Sequence, residues 1–264
     1  MHAAVHGHTK LIKAVLDNLT KVQRFNRLST ENDNLTNALQ EAAGNSRVET
    51  LRYLLDSVDH IMSVHLIKHK TYFNYTTIHR ASFSATGIYN ANVLEILLNH
   101  YPEAKSLLFE QAQDGSTALH ESVYYQEISS VEIILSRLPT VAEKERIMKL
   151  KASGGYTVLH TAARYANADI IDMLLEPLHI ELRHTLISDT TNDGHTPMMG
   201  LARGHNKRRN IHILQFYESQ DIATRNYDRI NSGSSRAEAT TSKVLEGKKY
   251  WYRLGIQIKI IIVI

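Results

Sequence analysis

GYTVLHTAA, at residues 155–163, is followed by ADIIDMLL at residues 168–175, and this pair of segments recurs along the chain. A second clear copy reads DGSTALH at residues 114–120 and continues as VEIIL at residues 131–135. Segments that recur at a fixed period predict a stack of small structural units and not a single globule. Function is therefore expected to lie on the surface of the stack.

The register of the repeat is set by the position that His160 occupies in the clearest copy. The equivalent positions lie 39, 39, 41, 40 and 39 residues apart, which gives six copies. These anchors are Met1, Gln40, His79, His120, His160 and Met199. An aliphatic pair such as Leu174-Leu175 follows each anchor fourteen and fifteen residues later, except that the third copy reaches its pair through a four-residue insertion.

Each copy predicts two helices joined by a short break. Gly155 and Thr157 supply a turn and then a residue that can cap the first helix, and in the sixth copy Pro197 suits the first helical position. The second helix carries apolar residues at the i, i+3 and i+4 positions, as in LRYLL at residues 51–55. Because neither helix buries enough apolar surface alone, the copies are expected to be stable only when stacked.

These segments resemble ankyrin repeats. The resemblance rests on TPM at residues 196–198, TVLHTAA at residues 157–163, GH at residues 7–8 and the later aliphatic pairs, and it covers roughly residues 1–217. It implies an all-α ankyrin-repeat solenoid of about six helix-turn-helix units. The solenoid would be curved and right-handed, with hairpin-like fingers projecting from one edge.

The resemblance also implies a role for the anchor residue. In this family the anchor histidine is structural, because it binds backbone groups between neighbouring units. Met1, Gln40 and Met199 replace that histidine here, so the network is expected to be weaker in the first, second and sixth copies.

The period exceeds the ordinary ankyrin length of about 33 residues, and the surplus lies after the second helix. Pro102, Pro139 and Pro177 fall there, and each is expected to end the preceding helix. The residues that follow predict a short third helix in most copies, packed over the outer edge of the stack. These predicted helices cover residues 103–111, 142–150 and 180–187. Long units of this kind resemble those of effector proteins from intracellular bacteria.

Composition is that of an ordinary folded protein, with 43% hydrophobic and 22% charged residues. The chain has no cysteine, which excludes a disulfide framework and a thiol nucleophile. A net charge of +3 is too small by itself to indicate nucleic-acid binding, and none is expected. We expect a monomer. Because no secretory leader opens the sequence, we expect it in the cytoplasm, or in the host-cell cytosol if it is a bacterial effector.

The repeats predict one elongated ankyrin domain over residues 1–217, a polar linker at residues 218–242 and a hydrophobic tail at residues 243–264. The first copy has no finger before Met1, which fits either a fragment with a displaced start or a minimal cap. The aliphatic run of the tail is too short to span a bilayer. The tail is either a functionless product of an altered gene, or an anchor on a membrane or partner through residues 248–264.

Sequence motifs of catalysis are missing. No Gly-x-Ser-x-Gly elbow, phosphate-binding glycine loop or His-Glu-x-x-His occurs. His65 and His69 have the spacing of a zinc pair on one helix face, and Asp59 and His60 lie nearby in sequence. Most such pairs are solvated surface histidines, so no metal site is predicted. We expect neither an enzyme nor a bound cofactor.

A binding function remains, and the ankyrin resemblance indicates where contacts lie. Members of the family usually bind through finger tips and the exposed face of the first helix. The corresponding finger residues are Phe73, Tyr75, Asp114, Ser116, Tyr156, Asp193 and His195, and the helix residues are Phe83, Tyr124, Tyr125, Arg164, Tyr165 and Arg203. Such aromatic and arginine residues dominate interface hot spots, which favours the concave groove of copies three to five. Alternatively, Tyr124, Tyr125 and Tyr165 merely pack between units.

Three classes of function stay open. The first is a non-catalytic scaffold that binds a protein partner, such as a secreted bacterial effector or adaptor. The second is a peripheral membrane protein anchored by its tail, and the third is the ankyrin fragment of a larger enzyme. The insertion within residues 83–91 and the basic cluster of Arg203 and residues 207–209 could add contacts, but a tolerant turn and a solvated cap are expected.

Overall fold

The computed structural model of the chain describes residues 1–83, 91–165, 168–200 and 211–219. These residues form a stack of helices, and no named strand occurs within the described ranges. The predicted all-α solenoid of about six units, most of them with a third helix, is confirmed.

Each of the six units contributes a pair of helices. The first helices are α1 (His2–Val5), α4 (Ala38–Gly44), α7 (Thr77–Ala81), α9 (Ala118–Tyr124), α12 (Val158–Tyr165) and α15 (Pro197–Gly200). The second helices are α2 (Thr9–Leu16), α5 (Val48–Asp56), α8 (Asn92–His100), α10 (Ile128–Ser136), α13 (Ala168–Leu175) and α16 (residues 211–219). The helix α16 extends two residues into the predicted linker.

A third helix follows the pair in the first five units. These helices are α3 (Lys21–Leu28), α6 (His60–Lys68), a 3-10 helix (Pro102–Phe109), α11 (Val141–Lys149) and α14 (Ile180–Ser188). Two of the three predicted segments are α-helical within a residue or two of the expected bounds. The segment at residues 103–111 differs, because it is a 3-10 helix that ends at Phe109.

The helices stack in rows that run along the solenoid. In the first row α1, α4, α7, α9, α12 and α15 each pack against the next, and in the second row α2, α5, α8, α10 and α13 do the same. In the third row α6 packs on the 3-10 helix, and α11 packs on α14. Residues at the same repeat position therefore become neighbours in space.

The first helices begin where a side chain caps them. Thr76 and Thr117 each accept a hydrogen bond from the backbone N–H three residues later, and Asn37 does so in the second unit. In all three units the side chain of the anchor residue bonds back to the N–H of the cap, which completes a capping box. The Thr of the repeated segment is therefore the helix cap that its sequence predicts.

The core lies between the first and second rows. The residue before the anchor is buried in four successive units, as Leu39, Ile78, Leu119 and Leu159. The first members of the later aliphatic pairs are buried against them, and include Leu54, Leu97, Ile134 and Leu174. A fully buried leucine or isoleucine contributes about 1.5–3 kcal/mol, so these repeated positions hold the units together.

Five fingers project ahead of the first helices. In each of them the N–H of the first residue donates to the carbonyl of the fifth, as from Thr71 to Tyr75 at 3.0 Å and from Ala112 to Ser116 at 2.8 Å. Neighbouring fingers are also bonded, because Gln113 N–H donates to Phe73 O at 2.9 Å. The other fingers occupy residues 32–36, 152–156 and 191–195. These bonds hold the finger side chains at fixed positions along the stack.

The anchor histidines join each helix to the next finger. His79, His120 and His160 donate through Nε2 to the carbonyls of Ser116, Tyr156 and His195 at 3.2, 3.3 and 3.0 Å. In each case Nδ1 accepts from the N–H of the capping threonine, so the proton is on Nε2. Burial lowers the pKa of His79 and of His120 to about 4, which keeps both rings neutral.

The prediction that this network is weaker in the second unit is wrong. Gln40 accepts from Asn37 N–H through Oε1 at 3.1 Å and donates through Nε2 to Tyr75 O at 3.3 Å. Nε2 also donates to His69 O at 2.8 Å. An amide has both a donor and an acceptor, so Gln40 reproduces what a neutral histidine does. Met1 and Met199 have no side-chain N–H and cannot.

Candidate partner-binding groove

A groove of about 370 Å³ lies between the fingers of units three to five and the first helices of units four and five. The helices α9 and α12 line it, together with the fingers at residues 71–75, 112–116 and 152–156. Its aromatic residues are Tyr75, Tyr124, Tyr125, Tyr156 and Tyr165. Its charged residues are Asp114, Glu121 and Arg164.

Aromatic rings form a continuous line along this groove. Phe83 stacks on Tyr125 with ring centroids 4.7 Å apart, and Tyr125 meets Tyr124 edge to face at 5.1 Å. Tyr124 then meets Tyr165 of the next unit at 4.7 Å, and the guanidinium of Arg164 lies 5.0 Å from the Tyr165 centroid. The line therefore crosses three units and ends in a cation–π contact.

The middle of the line stays open to solvent. Tyr124 and Tyr125 are each 47% exposed although both pack against other rings, whereas Phe83 behind them is buried. These tyrosines pack between units and also present surface. The two interpretations of the sequence are therefore not exclusive.

Glu121 lies at the base of this surface and is 8% exposed. Its Oε1 accepts a hydrogen bond from the hydroxyl of Tyr75 at 2.9 Å. Burial raises the pKa of Glu121 to about 7, and Asp114 raises it further while the Tyr75 bond opposes the shift. Burial beside this carboxylate also raises the pKa of the Tyr75 hydroxyl. The floor of the groove therefore carries a carboxyl group, and tyrosine rings form its walls.

Asp114 stabilises its own finger, residues 112–116. Its Oδ1 accepts from Ser116 N–H at 2.9 Å, and its Oδ2 accepts from the Ser116 hydroxyl at 3.0 Å. The turn after it needs glycine, because Gly115 has a φ of +79° and a Cβ there would lie 2.9 Å from Lys151 O. The finger is thereby fixed against the next one, and Asp114 is exposed at the groove.

Eight of the residues predicted from the sequence meet in this groove. They are Tyr75, Asp114, Ser116, Tyr124, Tyr125, Tyr156, Arg164 and Tyr165. Phe83 supports it from behind through Tyr125. Phe73 is 52% exposed and lines a second recess with Tyr75, Gln113 and Asp114.

Three predicted residues are not part of the groove as described. Asp193 is exposed and His195 is half-buried in the fifth finger, where the backbone carbonyl of His195 accepts from His160. Neither lines the groove, whose described residues end at unit five. Arg203 lies outside the described residues, as do the greater part of the insertion at 83–91, the basic cluster at 207–209 and the tail.

Sequence reasoning missed Glu121, although its position carries a signal. Glu121 directly follows the anchor His120, and the equivalent positions in the second and third units are Glu41 and Arg80. Because equivalent positions stack, Glu41 and Arg80 form an ion pair at 3.3 Å. A comparison of this position across the copies identifies Glu121 as a glutamate without a basic neighbour, because the equivalent residue of the next unit is Thr161.

The histidine pair considered as a zinc site makes other contacts. The ring of His65 packs against Phe25 at 5.5 Å, and His69 Nε2 lies 2.8 Å from Leu35 O and 3.3 Å from Glu31 Oε1. Within the described ranges no three His, Asp or Glu side chains gather as metal ligands would.

No helix in those ranges is long and apolar enough to cross a membrane.

Comparison with known proteins agrees with the repeat geometry. Residues 88–185 match the family model for ankyrin repeats in three copies. An ankyrin repeat-containing protein of Arabidopsis thaliana is 34% identical over 89 residues, which make up 34% of this chain and 16% of that protein. The matched part thus spans about one sixth of that relative's length.

Two solved structures have a similar fold. An ankyrin repeat domain from Acinetobacter baumannii AYE superposes with a TM-score of 0.55 at 16% identity, over 82% of this chain and 96% of that one. A chain from the complex of a predatory endopeptidase of Bdellovibrio bacteriovorus with an immunity protein gives 0.57 at 15% identity, over 81% and 95% of the two chains. This protein is a helical repeat solenoid. Ankyrin repeats are found in it over residues 88–185.

Proposed function

We propose that this protein is a non-catalytic interaction module that binds a partner protein in the groove of units three to five. Ankyrin repeats mediate protein–protein interaction and are typically non-catalytic. The observation that carries the proposal is the aromatic line from Phe83 through Tyr125 and Tyr124 to Tyr165, half of it exposed.

The physical case rests on how such rings bind. Tyrosine is an amphipathic ring with few rotatable bonds, so it offers a large contact area at a small entropic cost. Here the rings already support one another, since each contacts its neighbour at 4.7 to 5.1 Å. Such pre-organisation reduces the free energy lost on ordering an interface. The finger bonds fix the opposite wall of the groove in the same way.

The larger setting of this module is a further part of the proposal. Its long units with a third helix favour an effector or adaptor that acts in the cytosol of a host cell as a monomer. The alternative of a peripheral membrane protein rests on the aliphatic run and the lysines within residues 248–264. Flotation of a peptide of residues 243–264 with liposomes separates the two, because a peptide that stays in solution rejects the anchor. An ankyrin fragment of a larger enzyme is the third alternative.

The groove is tested by affinity capture with the full chain. The double variant Tyr125→Ala plus Tyr165→Ala removes two rings of the line and should lose proteins that the wild type captures from cell lysate. The control is Val22→Ala plus Ile61→Ala, which removes exposed apolar side chains of the third row. Thermal melting of all three proteins excludes unfolding as the cause. Unchanged capture of every protein by the tyrosine variant would contradict the proposal.

A further inference from the structure

We propose that the groove recognises a cation, the guanidinium group of an arginine side chain that the partner protein inserts beside Glu121. The inference rests on the proposed function and adds the chemistry of the partner. It is carried by a comparison of one repeat position across four units, and by the rings around it.

Among the described residues, no cationic side chain pairs with the buried carboxylate of Glu121. Within the described residues its side chain makes one hydrogen bond, from the Tyr75 hydroxyl to Oε1, and no Lys, Arg or His forms an ion pair with it. Buried carboxylates are normally paired with a cation or bonded to several donors. The second oxygen of Glu121 is therefore available to a donor that enters from the groove.

The second and third units show where that donor belongs. Glu41 holds the position after the anchor in unit two, and Arg80 holds the same position in unit three, where its Nη2 lies 3.3 Å from Glu41 Oε2. Glu121 is the equivalent residue of unit four, but unit five offers Thr161, which lines the groove and has no charge. A partner arginine would complete for Glu121 the pair that Arg80 completes for Glu41.

The walls of the groove suit a guanidinium. Tyr75, Tyr124, Tyr125, Tyr156 and Tyr165 line the space above Glu121, and aromatic faces attract cations through their quadrupole. The chain itself shows this packing, since Arg164 places its guanidinium 5.0 Å from the Tyr165 centroid. A planar guanidinium can stack on a ring and still donate in its own plane to a carboxylate.

The charges around Glu121 make such binding depend on pH. Tyr75 and Asp114 face it from two fingers, His120 and Tyr125 from its own helix, and Arg164 from the next helix. Of these Arg164 carries a positive charge and stacks on Tyr165, while burial keeps His120 neutral. Because burial raises the pKa of Glu121 to about 7, the carboxylate is partly protonated near neutral pH. An arriving guanidinium favours the ionised form, so affinity should fall as pH falls through 7.

The test uses the full chain labelled with ¹⁵N and three capped pentapeptides, each with two glycines on either side of a central arginine, lysine or citrulline. Citrulline has the shape of arginine without its charge. Titrations at pH 8 and pH 5.5 follow the backbone amide signals of Glu121, Tyr124 and Tyr125. The arginine peptide should give saturable shifts at pH 8 and bind about tenfold more tightly than the citrulline peptide, with the lysine peptide between them.

Two variants and one control assign the effect to the carboxylate. Glu121→Gln keeps the shape and the acceptor for Tyr75, and should lose about tenfold in arginine affinity and the pH dependence. Thr161→Arg supplies the missing base from unit five and should also abolish binding of the arginine peptide. Glu132→Gln removes the same charge from an exposed position on α10, and should change nothing.

The outcomes separate this inference from the proposed function. Equal binding of the arginine and citrulline peptides in the groove would overturn cation recognition while leaving the groove a peptide site. No saturable shift at the three amides would also overturn it, whereas capture of proteins that depends on Tyr125 and Tyr165 would still support the interaction module. Tight, pH-dependent binding that Glu121→Gln leaves intact would overturn the assigned role of Glu121.

Discussion

The hydroxyl of Tyr75 donates a hydrogen bond to Oε1 of Glu121 at 2.9 Å, and so joins the finger of unit three to the first helix of unit four. The bond orients a buried carboxylate toward the groove without neutralising it. A charge kept in this way lowers the stability of the fold, which is expected where a side chain serves binding.

Replacing Glu121 by Gln should stabilise the protein at pH 8. The folded-state pKa of about 7 lies above the ordinary value of 4.5, so the stability this group contributes is fully present below pH 4.5 and is lost as pH rises through 7. Gln mimics the protonated form and avoids that loss. Since one pKa unit equals about 1.4 kcal/mol, the gain at pH 8 has an upper limit of about 3 kcal/mol.

Denaturant unfolding of wild type and Glu121→Gln at pH 8, 6 and 4.5 checks this result. The difference in the free energy of unfolding should shrink toward zero at pH 4.5. Glu132→Gln, on an exposed face of α10, should match the wild type at every pH. A destabilised Glu121→Gln at pH 8 would show that the carboxylate is structural.

The anchor histidines should make the fold sensitive to acid. The folded-state pKa of His79 and of His120 is lowered from 6.5 to about 4, so the stability from keeping these rings neutral is present above pH 6.5 and lost as pH falls toward 4. The loss at pH 4 is about 3 kcal/mol for each ring. His120→Gln, which introduces the amide that Gln40 carries in unit two, should flatten the slope of unfolding free energy between pH 6.5 and 4. An unchanged slope would contradict the assignment.

The amide of Gln40 should stabilise the fold through its hydrogen bonds, in addition to the packing of its side chain. Gln40→Leu leaves the N–H of Asn37 and the carbonyl of Tyr75 without their buried partner, which should cost about 2–4 kcal/mol of unfolding free energy. Gln40→His restores the anchor found in units three to five and should cost less than about 1 kcal/mol. Thermal melting of the two variants beside wild type tests the difference. Similar melting temperatures for Leu and His would reject the role given to the amide.

The finger of the second unit, at residues 32–36, holds a residue in an unfavourable conformation. Leu35 has a φ of +54° and is 42% exposed, whereas the equivalent residues of the later fingers include Gly115 and Gly194. Leu35→Gly should therefore stabilise the fold by about 1 kcal/mol. Gly115→Ala is the converse variant and should destabilise it, because the new Cβ would lie 2.9 Å from Lys151 O. A lower melting temperature for Leu35→Gly would contradict the interpretation.

The rows of helices could be predicted from the sequence because each depends on a local pattern that recurs. The threonine caps, the buried residue before each anchor and the aliphatic pair each keep their spacing, and the structure places them as expected. The helix type after Pro102 could not be predicted in this way. The choice between a 3-10 and an α-helix there depends on packing against α6 and α8, which no local pattern encodes.

The aromatic residues of the candidate site, and its Asp114 and Arg164, could be predicted from the sequence, whereas its buried carboxylate Glu121 could not. Tyrosine at finger and helix positions stands out in a single copy. That Glu121 lacks a basic partner is evident only when neighbouring units are compared. Thr161 stands where a lysine or arginine could pair with it, and the absence of a basic residue is not a sequence motif. His195 is predicted as a binding residue from its finger position, whereas in the structure its backbone carbonyl accepts a hydrogen bond from His160 Nε2.

Photo-cross-linking tests the central claim about the groove most directly. Benzoylphenylalanine at position 124 or 165 places the reactive group on the aromatic line, and at position 61 it replaces Ile61, which is 81% exposed on α6. Irradiation in cells that produce the full chain should yield the same discrete cross-linked protein from positions 124 and 165 and none from position 61. Cross-linking at position 61 alone, or equal labelling at all three positions, would contradict the assignment of the groove as the partner site.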